Sequence, residues 1–581
     1  MTESLESDGP ALKILTVDAE HAERLKLESM DFTSITLQQR QLCDLELLMN
    51  GGFSPLTGFM DRSSYESVVE NMRLPDGELW PIPITLDVAQ SVAEKLEPGL
   101  KLALRDNEGF MLAVLTVSDV WRADKEREAE KVYQTTCVQH AGVRHFMERT
   151  EDYYVGGDIE GIQLPTHYDY EELRHTPEEL RHLFAKLGWR RVVAFHTSLP
   201  MHRMQREMTM RAAKEAQAHI LLHPTVGITK PGDLAYFARV KCYQAIQRHY
   251  PHGLVTLSLL PLALRMAGPR EALWHCLIRR NYGCTHVIVG HHRASPPPAA
   301  GSDDRFYPPY AAQELIDQHL DEIGVEMVPM RRMGYSIPRG RFIDADDATP
   351  ADQPCDMLSE TELARRLTRG EEVPEWFTYP DVLHALRRIY PPRSEQGITL
   401  FFTGLSGSGK STLAKIMYGK FIEEGKRLVT LLDGDIVRQN LSSELGFSKA
   451  HRDLNVRRIG FVASEISKNG GVAICAPIAP YAVTRRAVRE LIEEHGTMIE
   501  IHVATPLEVC EQRDRKGLYA KARKGIIPEF TGISDPYEVP EHPELRIDTS
   551  TLSPMQAAQE IYLYLLREGY IATDDEPSVP V

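Results

Sequence analysis

The sequence predicts an α/β multidomain chain. Three observations lead there. At 581 residues it is too long for a single hydrophobic core. Residues 11–165 alternate short apolar runs with Gly/Pro turns, and strand–helix alternation replaces that pattern from about residue 166. Near the C-terminal third, an apolar run is followed at once by a glycine-rich GxxxxGK[ST] segment and then a helical pattern.

Taken in order, Trp80-Pro-Ile-Pro-Ile-Thr-Leu-Asp87 typifies the mainly β first region, placed at 1–165. The second region, 166–330, has a short buried strand at Arg191–Phe195, a helix expected over Thr209–His219, and a strand over Cys284–Gly290 that ends in glycine. This is the wiring of a parallel sheet. Residues 294–309 and 344–354 read as surface loops, and 331–393 as a small third domain closed by the linker Tyr390–Gly397. The last region, 394–581, carries the glycine-rich segment and ends in a tail, Asp574–Val581, expected to fray.

The formal net charge of −17 argues against a nucleic-acid partner or an anionic membrane surface, which call for a basic face. No apolar signal core opens the chain, and its most apolar run, Gly253–Leu264, is too short for a bilayer. None of the eight cysteines forms a CxxC pair. Reduced thiols in a cytoplasmic protein, with no zinc site, are the expectation.

Thr399–Thr403 is the strand that launches Gly404-Leu-Ser-Gly-Ser-Gly-Lys-Ser411, and a helix is expected from Thr412. In such a P-loop, Gly404, Gly407 and Gly409 let the backbone curl, so that amides of Ser406, Ser408 and their neighbours through Thr412 surround phosphate oxygens at a helix N-terminus. Lys410 would reach the β- and γ-phosphates of ATP, and Ser411 would ligate Mg²⁺. A second strand, Arg427–Leu432, ends in Asp433-Gly-Asp435. Two acids at the carboxyl end of a strand suit metal organisation or orientation of an attacking hydroxyl, so Lys410, Asp433 and Asp435 are the catalytic candidates. The basic segment Arg513–Arg523 could fold as a lid over anionic groups.

Further motifs make the likeness specific: Asp433-Gly-Asp-Ile-Val-Arg438, Leu445-Gly-Phe447, Arg452-Asp-Leu-Asn-Val-Arg-Arg458, Lys516-Gly-Leu-Tyr-Ala-Lys-Ala-Arg523 and Phe530-Thr-Gly-Ile-Ser-Asp-Pro-Tyr-Glu538. In these, residues 394–560 resemble adenylylsulfate (APS) kinase. The resemblance implies that Arg438, Arg452 and Asn455 hold the phosphosulfate and ribose of APS, and that Phe447 and Phe530 sandwich its adenine. It adds Ile478, Lys521 and Thr531 to that site. Ile436 departs from the family's asparagine, and Ala479 stands where some relatives carry a phosphorylatable serine, which leaves direct transfer from ATP as the mechanism.

Residues from about 15 to 390 resemble ATP sulfurylase. The motifs are Gly51-Gly-Phe-Ser-Pro-Leu-Thr-Gly-Phe-Met60, Gly161–Tyr168, Leu222–Asp233 and Met266–Ala272. The resemblance implies a PUA-like β domain, a Rossmann-like α/β nucleotidyltransferase domain and a small third domain. Its active-site motifs are altered. Where the family has Q-x-R-N-x-x-H-x-x-H, this chain reads His196-Thr-Ser-Leu-Pro-Met-His-Arg-Met-Gln205. Thr197, Pro200 and His202 fit, whereas His196, Ser198, Leu199 and Gln205 replace Gln, Arg, Asn and the second His. The family's G-R-D-H-A appears as Gly290-His291-His292-Arg293-Ala294. Sulfate is a weak nucleophile attacking an already negative phosphate, so the loss of fixed guanidinium groups predicts weak or absent turnover. The histidines and Arg293 are expected to leave a basic cluster able to bind a nucleotide or oxyanion. The expected function is an APS kinase making 3′-phosphoadenylylsulfate (PAPS). Its sulfurylase-like half would be retired, fully active, or kept as an oligomerising and regulatory module. The expected ligands are APS, ATP and Mg²⁺, with sulfate as a further candidate, in a homo-oligomer.

Overall fold

A computed structural model of the chain describes residues 10–229, 236–291, 293–296, 305–349, 352, 354–355, 358–446, 448–514 and 516–572. Lys230–Asp233, His292, Phe447, the side chain of Asp435 and the tail from Asp574 lie outside the described residues. The chain forms two compact units, one of Met1–Ser359 with Pro374–Leu386, the other of Glu360–Val373 with Arg387–Val581. The segment 331–393, expected as one small domain and its linker, is thus shared between them. Tyr379 stacks on His249 at 3.7 Å within the first unit, whereas the Arg393 amide donates to the Thr368 carbonyl (2.8 Å) within the second.

The first unit opens with a six-stranded sheet in the order Thr33–Thr36, Lys101–Arg105, Met111–Arg122, Tyr153–Gly161 and Gly58–Phe59, with Leu86–Val88 also on Tyr153–Gly161. Only its first pair is parallel. Helices interleave with these strands, so the region is less purely β than its alternation suggested. Its buried face shares a core with the following domain: Phe53 meets Trp80 at 5.9 Å and Trp274 at 5.2 Å.

The next sheet is fully parallel, ordered Glu326–Pro329, His286–Val289, Val192–Phe195, His219–Leu222 and Val255–Leu257. In chain order this is 5-4-1-2-3, so the switch point falls between the first and fourth strands. Ligands of open α/β sheets bind in the crevice at that point. The two altered motifs follow those two strands, at His196 and at Gly290. The helix expected over Thr209–His219 runs instead over Arg203–Ala216. A reciprocal cap between His202 and Gln205 starts it early, and Gln217, left-handed at φ 48°, stops it so that His219 can join a strand. A three-stranded antiparallel sheet of Arg341–Asp344, Met333–Ser336 and Pro354–Cys355 completes the unit.

The second unit holds a five-stranded parallel sheet ordered Val429–Leu432, Val472–Cys475, Ile398–Thr403, Thr497–Val503 and Leu545–Ile547. Ile398, Leu400, Phe401 and Phe402 are fully buried, which explains an apolar run with no polar alternation. The helix after the P-loop begins at Lys410, two residues before the expected Thr412, because Gly409 itself serves as its N-cap. Among the described residues no helix is long and apolar enough to cross a membrane.

Candidate active sites

In the second unit the glycine-rich segment leaves the carboxyl end of the central strand Ile398–Thr403. Gly404 and Gly409 have φ of 147° and 105°. A Cβ on Gly404 would lie 2.6 Å from the Val503 carbonyl oxygen, so only glycine fits. The loop is pinned from outside. The Ser408 carbonyl accepts from the hydroxyls of Thr505 (3.0 Å) and Thr549 (2.8 Å), and the Tyr519 hydroxyl donates to the Ser406 carbonyl (2.8 Å). Lys410 is buried, its Nζ donating to the carbonyls of Gly404 (2.9 Å) and Leu405 (2.7 Å), and burial lowers its pKa to about 8. The Ser411 hydroxyl donates to Asp433 Oδ1 at 3.0 Å, and the same oxygen caps the helix Gly434–Asn440. A hydroxyl and a carboxylate at that separation are hard oxygen donors that fit a divalent cation such as Mg²⁺.

Beyond the P-loop, the Ile478 carbonyl accepts from the Thr403 hydroxyl (2.7 Å) and the Gly404 amide (3.3 Å), so Ile478 sits beside the loop. Arg452 and Asn455 lie three residues apart on the helix Lys449–Lys468 and share a face. Arg452 Nη1 donates to Thr531 Oγ1 (2.7 Å) and pairs with Asp535 Oδ2 (3.0 Å). Arg452 Nε and Nη2 and Asn455 Oδ1 are buried with no hydrogen-bond partner. Such groups cost about 1–3 kcal/mol each unless something satisfies them, so this face offers two donors and an acceptor still to be matched. Phe530 is half-buried, with Tyr519 edge-on at 5.1 Å. Arg438 donates to the Leu445 carbonyl (3.2 Å), and Lys521 is exposed on the helix Leu518–Arg523. Sequence reasoning quoted the motifs containing Tyr519 and Asp535 without giving either residue a part. Their signal was there, in an LYAKAR helix and an ISDPYE turn next to assigned residues.

In the first unit the switch point gathers the altered motifs. His196 is buried, stacked on His275 at 4.4 Å, with the Arg279 guanidinium on its Nδ1 and Arg293 Nη1 donating to its carbonyl (2.7 Å). Thr197 Oγ1 closes a turn on the Leu199 amide (3.0 Å). The carbonyls of Ser198 and Leu199 accept from Arg239 Nη1 (2.8 Å) and the Tyr243 hydroxyl (2.7 Å), so both positions serve through backbone. His202 lies under Phe377 at 4.3 Å, its Nδ1 2.9 Å from Thr378 Oγ1. Gln205 accepts from the His202 amide (2.9 Å), a helix cap in place of the family's second histidine. The His291 carbonyl accepts from the Tyr310 amide (2.8 Å), and the Ala294 carbonyl accepts from the Gly268 amide (3.2 Å). No Cβ contact constrains Gly290.

The basic histidine cluster expected here is corrected by burial. Desolvation, helped by Arg293, holds His196 well below the ordinary imidazole range, and burial lowers His202 to about 4 and depresses His291. These rings are neutral near pH 7, and the positive charge belongs to Arg279 and Arg293, lowered by burial only to about 9 and about 10. Arg279, on the helix Gly268–Asn281, was missed by the sequence reading. The sign follows: a lowered pKa leaves these imidazoles uncharged through neutral pH, and His202 gains its proton only as pH falls toward about 4. Calorimetric affinity for inorganic sulfate is therefore expected to stay level from about pH 8 to about pH 6. A steep strengthening across that range would mean that an imidazole titrates at this site.

Among family models, a PUA-like domain matches residues 5–164, ATP-sulfurylase 171–389 and adenylylsulphate kinase 396–548. The chain is 48% identical to a sulfate adenylyltransferase of Mycosarcoma maydis over 97% of its own length and 99% of that protein's. It is equally 48% identical to one from Aspergillus oryzae, covering 97% and 98%. Among solved structures, the hexameric APS kinase from Thiobacillus denitrificans is 42% identical, covers 98% of this chain and 100% of that one, and superposes with a TM-score of 0.79. With relatives matched over nearly their whole length and a P-loop segment that follows a switch-point sheet in the sequence, the chain belongs to the sulfate adenylyltransferase family, in a form that joins an ATP-sulfurylase domain to an APS kinase domain.

Proposed function

We propose that the chain transfers the γ-phosphoryl group of ATP to the 3′-hydroxyl of APS, giving PAPS and ADP, and that its sulfurylase-like half turns over weakly or not at all. The observation that carries the kinase reading is the joint placement of Ser411 on Asp433 at 3.0 Å and, on the neighbouring helix, the unpartnered buried polar edge of Arg452 and Asn455. Ser411 and Asp433 would hold Mg²⁺, which supplies charge neutralisation at the phosphates when bound. Lys410 binds the phosphates, and with Asp433 given to the metal, the carboxylate at position 435 orients the hydroxyl and accepts its proton as oxygen attacks phosphorus and the bond to ADP breaks. Phe530 stacks on the APS adenine, with Phe447 as its opposite face. Phe530→Ala is expected to weaken APS binding by about 1–3 kcal/mol while ATP affinity changes less. An unchanged APS affinity in folded variant would return Phe530 to a packing role.

A fully bifunctional reading, ATP plus sulfate to APS and then to PAPS, draws support from the names of the fungal relatives and from the guanidinium groups of Arg279 and Arg293 gathered at His196. Separate assays decide between the readings: ATP formation from APS and pyrophosphate, and PAPS formation from APS and ATP. A homo-oligomer is part of the proposal, supported by the hexameric relative.

A further inference from the structure

Arginine presents five N–H donors in a planar fork, and a buried guanidinium binds an oxyanion well only if its orientation is fixed beforehand. Arg452 lies over the Tyr481 ring at 5.5 Å and is hydrogen-bonded along one side only. Nη1 is engaged by Thr531 Oγ1 (2.7 Å) and Asp535 Oδ2 (3.0 Å), whereas the Nε–Nη2 edge is buried without a partner. That free edge matches two oxygens of a sulfate or phosphate group. Asn455 Oδ1, unpartnered on the same helix face, is an acceptor and suits a hydroxyl.

The hold on Nη1 comes from a short turn. The amides of Ile533, Ser534 and Asp535 donate to the Phe530 carbonyl at 3.1, 3.0 and 3.1 Å, and the Gly532 amide donates to the Asp535 carbonyl at 2.7 Å. One folded turn therefore presents the Phe530 ring, the Thr531 hydroxyl and the Asp535 carboxylate together. Asp535 is itself held, because the Tyr481 hydroxyl donates to the same Oδ2 at 2.6 Å. Tyr481 is buried at the start of the helix Ala482–Glu493, so the carboxylate is tied to a second element of the fold.

We infer that Asp535, buttressed by Tyr481, is a positioning residue. It turns Arg452 so that its Nε–Nη2 edge faces the sulfated or phosphorylated end of the substrate, while Thr531 shares the hold. The inference rests on the APS kinase reading above and deepens it. It also opposes a simpler role for an acid beside a binding arginine. A carboxylate that merely offset the charge of Arg452 would weaken anion binding, and its removal would tighten APS.

The test uses the full chain with Asp535→Ala and Asp535→Asn, the second keeping a polar group of the same shape should the first fold poorly. Steady-state kinetics give KM for APS and for ATP, and calorimetry gives APS binding without turnover. Asp535→Ala is expected to raise KM for APS about tenfold or more, leave KM for ATP within about twofold, and add nothing once Arg452→Ala is present. Asp535→Asn and Tyr481→Phe should fall between. Additive losses in the Arg452→Ala background, equal shifts in both KM values, or tighter APS binding would each overturn the inference. If the unmodified chain binds APS and Asp535→Ala weakens that binding, but no PAPS forms, the positioning role stands and the proposed reaction falls. If the unmodified chain does not bind APS, both fall.

Discussion

Lys410→Ala is expected to lower PAPS formation from APS and ATP by about 10²–10³-fold or more, the usual loss when one preorganised charged donor is removed from a transferring group. Lys410 is suited to that role by its surroundings. It is buried among loop carbonyls, and burial has already brought its pKa down to about 8, so its charge is weakly compensated and available to phosphate oxygens. The fold should survive the change, because Gly404 and Ser408 are held by the strand ends and by Thr505 and Thr549, independently of the lysine. Circular dichroism and a thermal melt check the fold, and a coupled ADP assay checks the rate. Turnover near that of the unmodified chain, in folded variant, would remove the P-loop from the mechanism.

The second large effect concerns the front half. ATP formation from APS and pyrophosphate is expected to run at least about a thousandfold slower than the chain's own kinase reaction, since more than one charged donor is missing. Ser198 offers no bidentate fork, and Leu199 offers no side-chain donor. The guanidinium groups that do reach the switch point are already occupied, Arg279 and Arg293 with His196 and Arg239 with the Ser198 carbonyl, and His202 lies beneath Phe377. The combined change His196→Gln, Ser198→Arg, Leu199→Asn, His291→Arg, His292→Asp and Arg293→His should raise that rate. Comparable rates of ATP formation from APS and pyrophosphate and of PAPS formation in the unmodified chain would show that Arg279 and Arg293 have become a working substitute.

What could be read from the sequence was local. The P-loop is a contiguous spacing whose chemistry follows from glycine and lysine alone, and the two altered motifs could be placed because each follows an apolar strand. The charge of the front cluster could not be read, because it is set by Arg279, 83 residues beyond His196, and by burial that only the packed helix Gly268–Asn281 creates. The early start of the helix at Arg203 was hidden because histidine is not among the usual capping residues; Gln205 three residues on was the available clue. Asp535 and Arg452 likewise meet only in the folded chain, through a turn whose glycine was visible and whose direction was not.

The division of the chain bears on how it can be taken apart. The P-loop unit is not one contiguous string: Glu360–Val373 belongs to it, while Pro374–Leu386, next in sequence, belongs to the other. A recombinant fragment starting at Arg387 would lack the helix Glu360–Arg369, with its buried Leu363 and Leu367 and the Thr368 carbonyl that receives the Arg393 amide. A fragment ending at Leu386 would carry that helix as an internal stretch with its packing partners removed. Scission at this point should therefore leave two pieces that behave poorly alone and recover when co-expressed, each supplying the stretch its counterpart was built around.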